Sequence, residues 1–257
     1  MAHRHDHADR YREGDRAAWD RELDDDVLFF PDRRDVYNFI DLTKLEFIAP
    51  RLPATGRALE VGAGSGRLLV RCGLLGALQL FALDYSPAAV RAVTTNYARA
   101  GLWGSAVLGS AESLPYSTSS FDLVISGGLL EHFRDPTRVV EEMVRVLKPG
   151  GVFYADIVPR KFSIFRLREW FRMRSSVYLS EGIFESDLSL SYWRGLLERA
   201  GLTDVRAIGA GIYPPHTMRW RPELEWRLRR VYARLDGTRV AEWLGWLYLC
   251  SGKKTGE

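Results

Sequence analysis

The sequence predicts a doubly wound α/β domain with a mostly parallel sheet, and three observations carry that expectation. From about residue 57 onward, short β-branched runs alternate with helix-like segments. Two of those helices open on a cap residue followed by proline, at Ser86-Pro87 and Asp135-Pro136, and a glycine-rich loop from Gly62 to Gly66 follows the first strand. A chain of 257 residues, 46% hydrophobic, can bury one substantial core, so one domain with insertions is expected.

Arg57 to Val61 reads as the first strand and Leu78 to Asp84 as the second. Ser86 then supplies an N-cap, and Pro87 suits the first helical position, where a missing N–H costs nothing. Val90, Val93 and Tyr97 share one face of that helix, and Gly101 stops it. Ala106 to Gly109 is a short third strand and Phe121 to Ser126 an apolar fourth. After Asp135-Pro136, the residues Val139, Val140, Met143, Val144 and Leu147 recur at helical spacing. Lys148-Pro149-Gly150-Gly151 ends that helix and leads into a fifth strand, Val152 to Val158. Ser191 to Ala200 forms a helix with Trp193, Leu196 and Leu197 inward, closed by Gly201; Leu202 to Ile208 and Trp243 to Ser251 are the last strands.

Three stretches stand outside this alternation. Residues 1–50 read as a polar tail and helical cap preceding a main domain of residues 51–257. Residues 159–188 interleave Phe162, Phe165, Trp170 and Phe171 with Arg166, Arg168, Arg172 and Arg174, and residues 212–242 hold an arginine-rich helix; both read as insertions. The formal charge of +3, from 36 basic and 33 acidic residues, is too slight to point to nucleic acid. Cys72 and Cys250 make neither a disulfide framework nor a zinc spacing. His3, His5 and His7 alternate in a tail without apolar anchors, so no metal is expected. With no secretory apolar region at the N-terminus and no run of membrane-spanning length, a cytoplasmic location is expected.

The decisive segment is LEVGAGSGR, Leu59 to Arg67. Its glycines let the backbone turn tightly and approach a ligand. A dinucleotide fingerprint would place its third glycine at position 67, where Arg67 stands, which argues against a nicotinamide dehydrogenase. Glu60, before the loop, suits a ligand bearing an ammonium group better than a pyrophosphate, and Asp84 ends the second strand where a carboxylate can accept from ribose hydroxyls.

With ALDYSP, with GSAESLPYSTSSFDLVIS running into GGLLEHFRDP, and with VLKPGG in the same order, the chain resembles the class I S-adenosylmethionine-dependent methyltransferases, in the small-molecule group related to quinone-biosynthesis enzymes. The resemblance implies a seven-stranded sheet with an antiparallel last strand, helical cap and lid insertions, and S-adenosylmethionine as cofactor. It implies that Glu60, Gly62, Ala63 and Gly64 line the methionine end, that Asp84 holds the ribose and that Tyr85 packs on the adenine. Ala111 and Glu112 would lie along the adenine edge. Ser110 stands where the family often has an aspartate, so only a neutral contact to the adenine amino group is available there. Gly127-Gly128, after the fourth strand, falls beside the methionine moiety by the crevice rule for open sheets, a simple tight turn being the alternative, and Ser126 and Gly127 are expected in the cofactor site.

The implied reaction is direct in-line transfer of a methyl group to an oxygen, nitrogen or carbon nucleophile of a small or lipid-like metabolite. The runner-up is an inactive cofactor-binding scaffold. A nucleic-acid amino-methyltransferase would carry an Asn/Asp-Pro-Pro-aromatic motif where this chain has Ser126-Gly127-Gly128-Leu129. His132 and Asp156 should both reach the carboxyl edge of the sheet, and the resemblance implies His132 as general base, with Asp156 either holding it or binding the acceptor. A histidine that merely caps the strand or shapes the pocket is the bland alternative. The insertions are expected to form a lid for an acidic or amphipathic acceptor, with peripheral membrane contact one form of it. The competing reading is an amphipathic helix with buried aromatics and solvated arginines.

Overall fold

The computed structural model describes residues 29–167, 184–214 and 222–256. Its strands are β1 (Thr55–Val61), β2 (Ala77–Asp84), β3 (Gly104–Leu108), β4 (Phe121–Gly127), β5 (Leu147–Ile157), β6 (Leu202–Ala210) and β7 (Leu247–Lys254). They form one sheet in the order β3-β2-β1-β4-β5-β7-β6. From β3 to β5 neighbours run parallel, and β7 runs antiparallel between β5 and β6. The helices are α1 (Val36–Ile48), α2 (Arg67–Leu75), α3 (Pro87–Arg99), α4 (Thr137–Val146), α5 (Leu190–Arg199), α6 (Pro222–Tyr232) and α7 (Arg239–Leu244).

Side chains alternate across a strand, so the sheet carries a core on each face. Leu59, Val61, Val124, Phe153 and Ala155 share one with Val139, Val140 and Met143 of α4 and Trp193, Leu196 and Leu197 of α5. Ala58, Leu80, Ile125 and Tyr154 share the other with Phe47 and Ile48 of α1, Leu68 and Leu69 of α2, and Val93 and Tyr97 of α3. Outside both, a ring cluster joins α1 to later segments. Phe39 meets Tyr213, Trp226 and Tyr232 with centroids 5.0, 6.4 and 6.4 Å apart, and Phe165 meets Tyr213 and Trp246 at 5.8 and 5.0 Å.

Local chemistry explains where the elements start. Ser86 Oγ accepts from the Ala89 amide at 3.1 Å, with Pro87 opening α3. Asp135 behaves differently from the expected cap: Pro136 is the cap residue of α4, and Asp135 accepts from the Thr137 amide at 3.0 Å. Leu147 is not helical but opens β5, whose register against β4 jumps from Phe121↔Leu147 to Leu123↔Val152 across the Pro149-Gly150-Gly151 turn. Lys148 anchors that jump, its ammonium 2.8 and 2.9 Å from the two Asp122 oxygens. Trp243 is likewise no strand residue. Thr238 caps α7 by accepting from the Ala241 amide at 3.2 Å, Gly245 ends it, and β7 starts only at Leu247.

Candidate active site

After β1 the chain crosses to β2 and β3 on one side, then returns to β4 and β5 on the other, so the carboxyl ends of β1 and β4 flank a topological switch point. The glycine loop sits there. The Gly62 and Ala63 amides both donate to the Leu83 carbonyl, at 2.9 and 3.1 Å, tying the loop to β2. Gly62 and Gly64 have φ of +64° and +53°, the left-handed region that favours glycine. At Gly62 an added Cβ would lie 2.6 Å from Leu129 Cδ1, whereas at Gly64 it would meet nothing within 4 Å. The Gly64 backbone therefore borders open space.

Asp84, at the end of β2, is buried beside this loop and receives the Gly64 amide on one oxygen at 2.8 Å and the Ser86 amide on the other at 2.9 Å. Tyr85 follows it, half-buried. The Gly109 amide donates to the Asp84 carbonyl at 2.9 Å, which brings the segment Ser110, Ala111, Glu112 to the same edge. Ser110 is exposed, and its Oγ accepts from the Glu112 amide at 3.3 Å. Glu142 of α4 holds the next stretch of chain in place, accepting the Leu114 amide at 2.8 Å while Arg145 ties it to the Leu114 and Tyr116 carbonyls.

Glu60, by contrast, faces beneath the loop, buried, with its Oε2 accepting from the Leu69 amide at 3.3 Å. Burial pushes its carboxyl up to about 8. Ser126 is fully buried, its Oγ without a partner among the described residues, and an added Cβ at Gly127 would stand 3.0 Å from Asp156 Oδ1.

His132 lies in a short turn, Leu130–His132, after β4, with its Nδ1 2.7 Å from the Phe184 carbonyl. A carbonyl only accepts, so the neutral ring carries its proton on Nδ1 and its basic lone pair on Nε2. Asp156 does not hold this ring, which corrects one of its two expected roles. The Asp156 carboxyl is fully buried, 2.7 Å from Lys44 Nζ, and accepts from the Tyr154 hydroxyl at 3.2 Å. Burial raises its pKa against the pull of Lys44. Burial also works against the Lys44 ammonium, yet the facing Asp156 carboxylate raises that pKa on balance.

Several polar residues here escaped sequence reasoning. Asp41, Lys44 and Asn38 come from α1: Arg67 reaches Asp41 at 2.9 Å and Asn38 at 2.8 Å, and Arg71 reaches the same pair, so α1 is riveted to the helix that leaves the glycine loop. Glu131 is the other. It is buried, accepts from the Val158 amide at 2.9 Å, and has its second oxygen without a partner among the described residues; burial pushes its carboxyl up to about 8. The insertion returns to this edge as well, since the Ser186 amide donates to the Glu131 carbonyl at 2.8 Å. Trp170, Phe171, Arg168, Arg172 and Arg174 lie outside the described residues.

The raised Glu60 carboxyl gives a stability prediction. A carboxyl whose folded pKa is raised retains a proton that the unfolded chain releases, so its contribution is full below the unfolded pKa and is lost as pH climbs from 4.5 to about 8. Stability is expected to fall across that window, and to fall less steeply in Glu60→Gln, which keeps an acceptor for Leu69. Urea midpoints across the window read it; equal slopes in the two proteins would show that Glu60 ionises normally.

Residues 59–155 match a family described as a methyltransferase domain. Over 126 residues the chain is 34% identical to a ubiquinone biosynthesis O-methyltransferase of Xanthomonas axonopodis pv. citri, covering 48% of this chain and 52% of that protein. The chain thus spans about half the length of the curated relatives it first matches. Among solved structures, a SAM-dependent methyltransferase of Thermotoga maritima superposes with a TM-score of 0.59 at 22% identity, covering 86% of this chain and 92% of that one. A [4+2]-cyclase superposes with a TM-score of 0.56 at 19% identity, covering 84% and 82%. At such identities the likeness is one of fold alone. The glycine loop at the switch point, the strand order with its antiparallel β7 and the family match agree: residues 59–155 are similar to a methyltransferase domain, set in a seven-stranded sheet that shares its fold with solved S-adenosylmethionine-dependent methyltransferases.

Proposed function

We propose that the chain binds S-adenosylmethionine along the switch-point crevice and directs its methyl group to an oxygen, nitrogen or carbon nucleophile of a small or lipid-like metabolite. The observation that carries this reading is the pairing of the Gly64 backbone, bordered by open space, with the Asp84 carboxylate 2.8 Å from its amide. Each carboxylate oxygen accepts more than one hydrogen bond, so Asp84 can take ribose hydroxyls while keeping its loop amides. Tyr85, Ser110, Ala111 and Glu112 flank the adenine in this reading; Ala63, Ser126 and Gly127 back the methionine end. Lys44, held by Asp156, supplies the cation facing the cofactor carboxylate, and Asp156 acts as its positioning residue.

The bound cofactor supplies a methyl group already activated on a sulfonium. What remains for the protein is to align the nucleophile, exclude water and take a proton. His132 Nε2 is the group assigned to the proton. The insertion around Phe184 and Ser186, which grips the turn carrying His132 and Glu131, is assigned to the acceptor wall.

Asp84→Ala should weaken cofactor binding by roughly ten- to a hundredfold, the range for hydrogen bonds to a charged group. Calorimetry with S-adenosylhomocysteine measures it. Unchanged affinity would remove Asp84 from the site, and tight binding by the wild type without transfer to any member of an acceptor panel would overturn the transfer half of the proposal.

A further inference from the structure

Helix α6 is apolar on two faces, and among the described residues only one of them is packed. On the inner face Trp226 and Tyr232 meet Phe39 of α1, each with centroids 6.4 Å apart, while Arg229 pairs with Glu46 at 2.7 Å. The outer face carries Leu224, Leu228 and Val231, which fall within roughly 60° of arc at 3.6 residues per turn, and Leu235 follows in a short 3-10 turn, Ala233–Leu235. Leu224, Val231 and Leu235 are 45%, 50% and 39% exposed, and the chain continues through Val240 and Trp243 at 52% and 76%. A helix with a second apolar stripe turned outward has no reason to keep it in water.

The charges beside that stripe indicate what covers it. Arg227 and Arg230 are exposed along one edge of the stripe, Arg234 is exposed in the turn that follows, and none of the three makes an ion pair among the described residues. The acid on that edge, Glu223, is already paired with Arg34. A second copy docked antiparallel on the same stripe would set arginines against arginines, because Glu225 lies on the opposite edge. We propose that this outer face of α6 is a docking surface for an anionic lipid bilayer, the apolar stripe entering the acyl boundary and the arginines meeting headgroup phosphates. No helix among the described residues is long and apolar enough to cross a membrane, so the contact is interfacial. Because α6 packs on α1, and α1 carries Lys44 to the sheet edge, a docked bilayer would lie one helix away from the crevice. The inference does not rest on methyl transfer, and its test reads no transfer.

Co-sedimentation of the full chain with vesicles decides it, using phosphatidylcholine alone and phosphatidylcholine with about one-third phosphatidylglycerol. The wild type is expected to bind the anionic vesicles, less as salt rises, and the neutral ones weakly. The triple variant Arg227→Gln/Arg230→Gln/Arg234→Gln should lose about fivefold per arginine, roughly a hundredfold in all. Leu224→Ser/Val231→Ser should also lose binding, with far-UV circular dichroism unchanged because these side chains are exposed. Absence of wild-type binding, or equal binding by both variants, would overturn the proposal. A concentration-dependent dimer abolished by Leu224→Ser/Val231→Ser would overturn it too, assigning the stripe to a second copy.

Discussion

Replacing His132 by alanine is expected to lower kcat by about 100- to 10,000-fold at saturating cofactor and acceptor, the usual loss with a general base. The Phe184 carbonyl, 2.7 Å from Nδ1, fixes which nitrogen is basic, so the ring is oriented before any acceptor arrives. The same hydrogen bond poses the competing explanation. His132 could serve only to pin the insertion, in which case alanine would fail because Phe184 drifts. His132→Asn separates the two, because its side-chain amide can still donate to the Phe184 carbonyl but offers no basic nitrogen. The base assignment expects the asparagine variant to be as slow as the alanine one, and recovery of most of the rate with asparagine would leave His132 as a pin. Acceptors that already carry a reactive lone pair need little base assistance, so the comparison has to be made with the acceptor that the wild type turns over fastest.

The sheet was legible because its signals are local. Ser86-Pro87, the glycine loop and the apolar runs each act within a few residues, and Asp84 and the Gly109 turn meet simply because parallel strands end together. Where local signals competed, the reading slipped: Trp243 extends an apolar run toward β7, but the Thr238 cap claims it for α7. The partners of Asp156 were not legible at all. Lys44 lies far earlier in the chain, on a helix whose buried positions include Asn38, Asp41 and Thr43, a pattern that resembles no apolar stripe until Arg67 and Arg71 are seen facing it. Glu131 was hidden by its neighbour: beside a histidine it reads as an ordinary turn acid, and only the Val158 amide and the burial around it show otherwise.

Removing Lys44 should produce the largest loss of stability. In Lys44→Met the Asp156 carboxyl stays fully buried with, among the described residues, only the Tyr154 hydroxyl as a hydrogen-bond donor, and breaking a buried pair from one side costs about 3–5 kcal/mol. The expected result is a marked drop in the urea midpoint together with weaker binding of S-adenosylhomocysteine. The second effect alone would prove little, since a destabilised α1 could loosen the crevice by itself. The double variant Lys44→Met/Asp156→Asn resolves this, because it removes both charges and leaves no orphan in the core. Replacing both members of a buried pair is often nearly neutral, so most of the lost stability should return. Cofactor affinity should not return with it. A cation facing the cofactor carboxylate is worth roughly ten- to a hundredfold in binding, and that deficit should persist in the restabilised double variant. If affinity recovers in step with stability, Lys44 serves only to seat α1, and the methionine end must find its cation elsewhere.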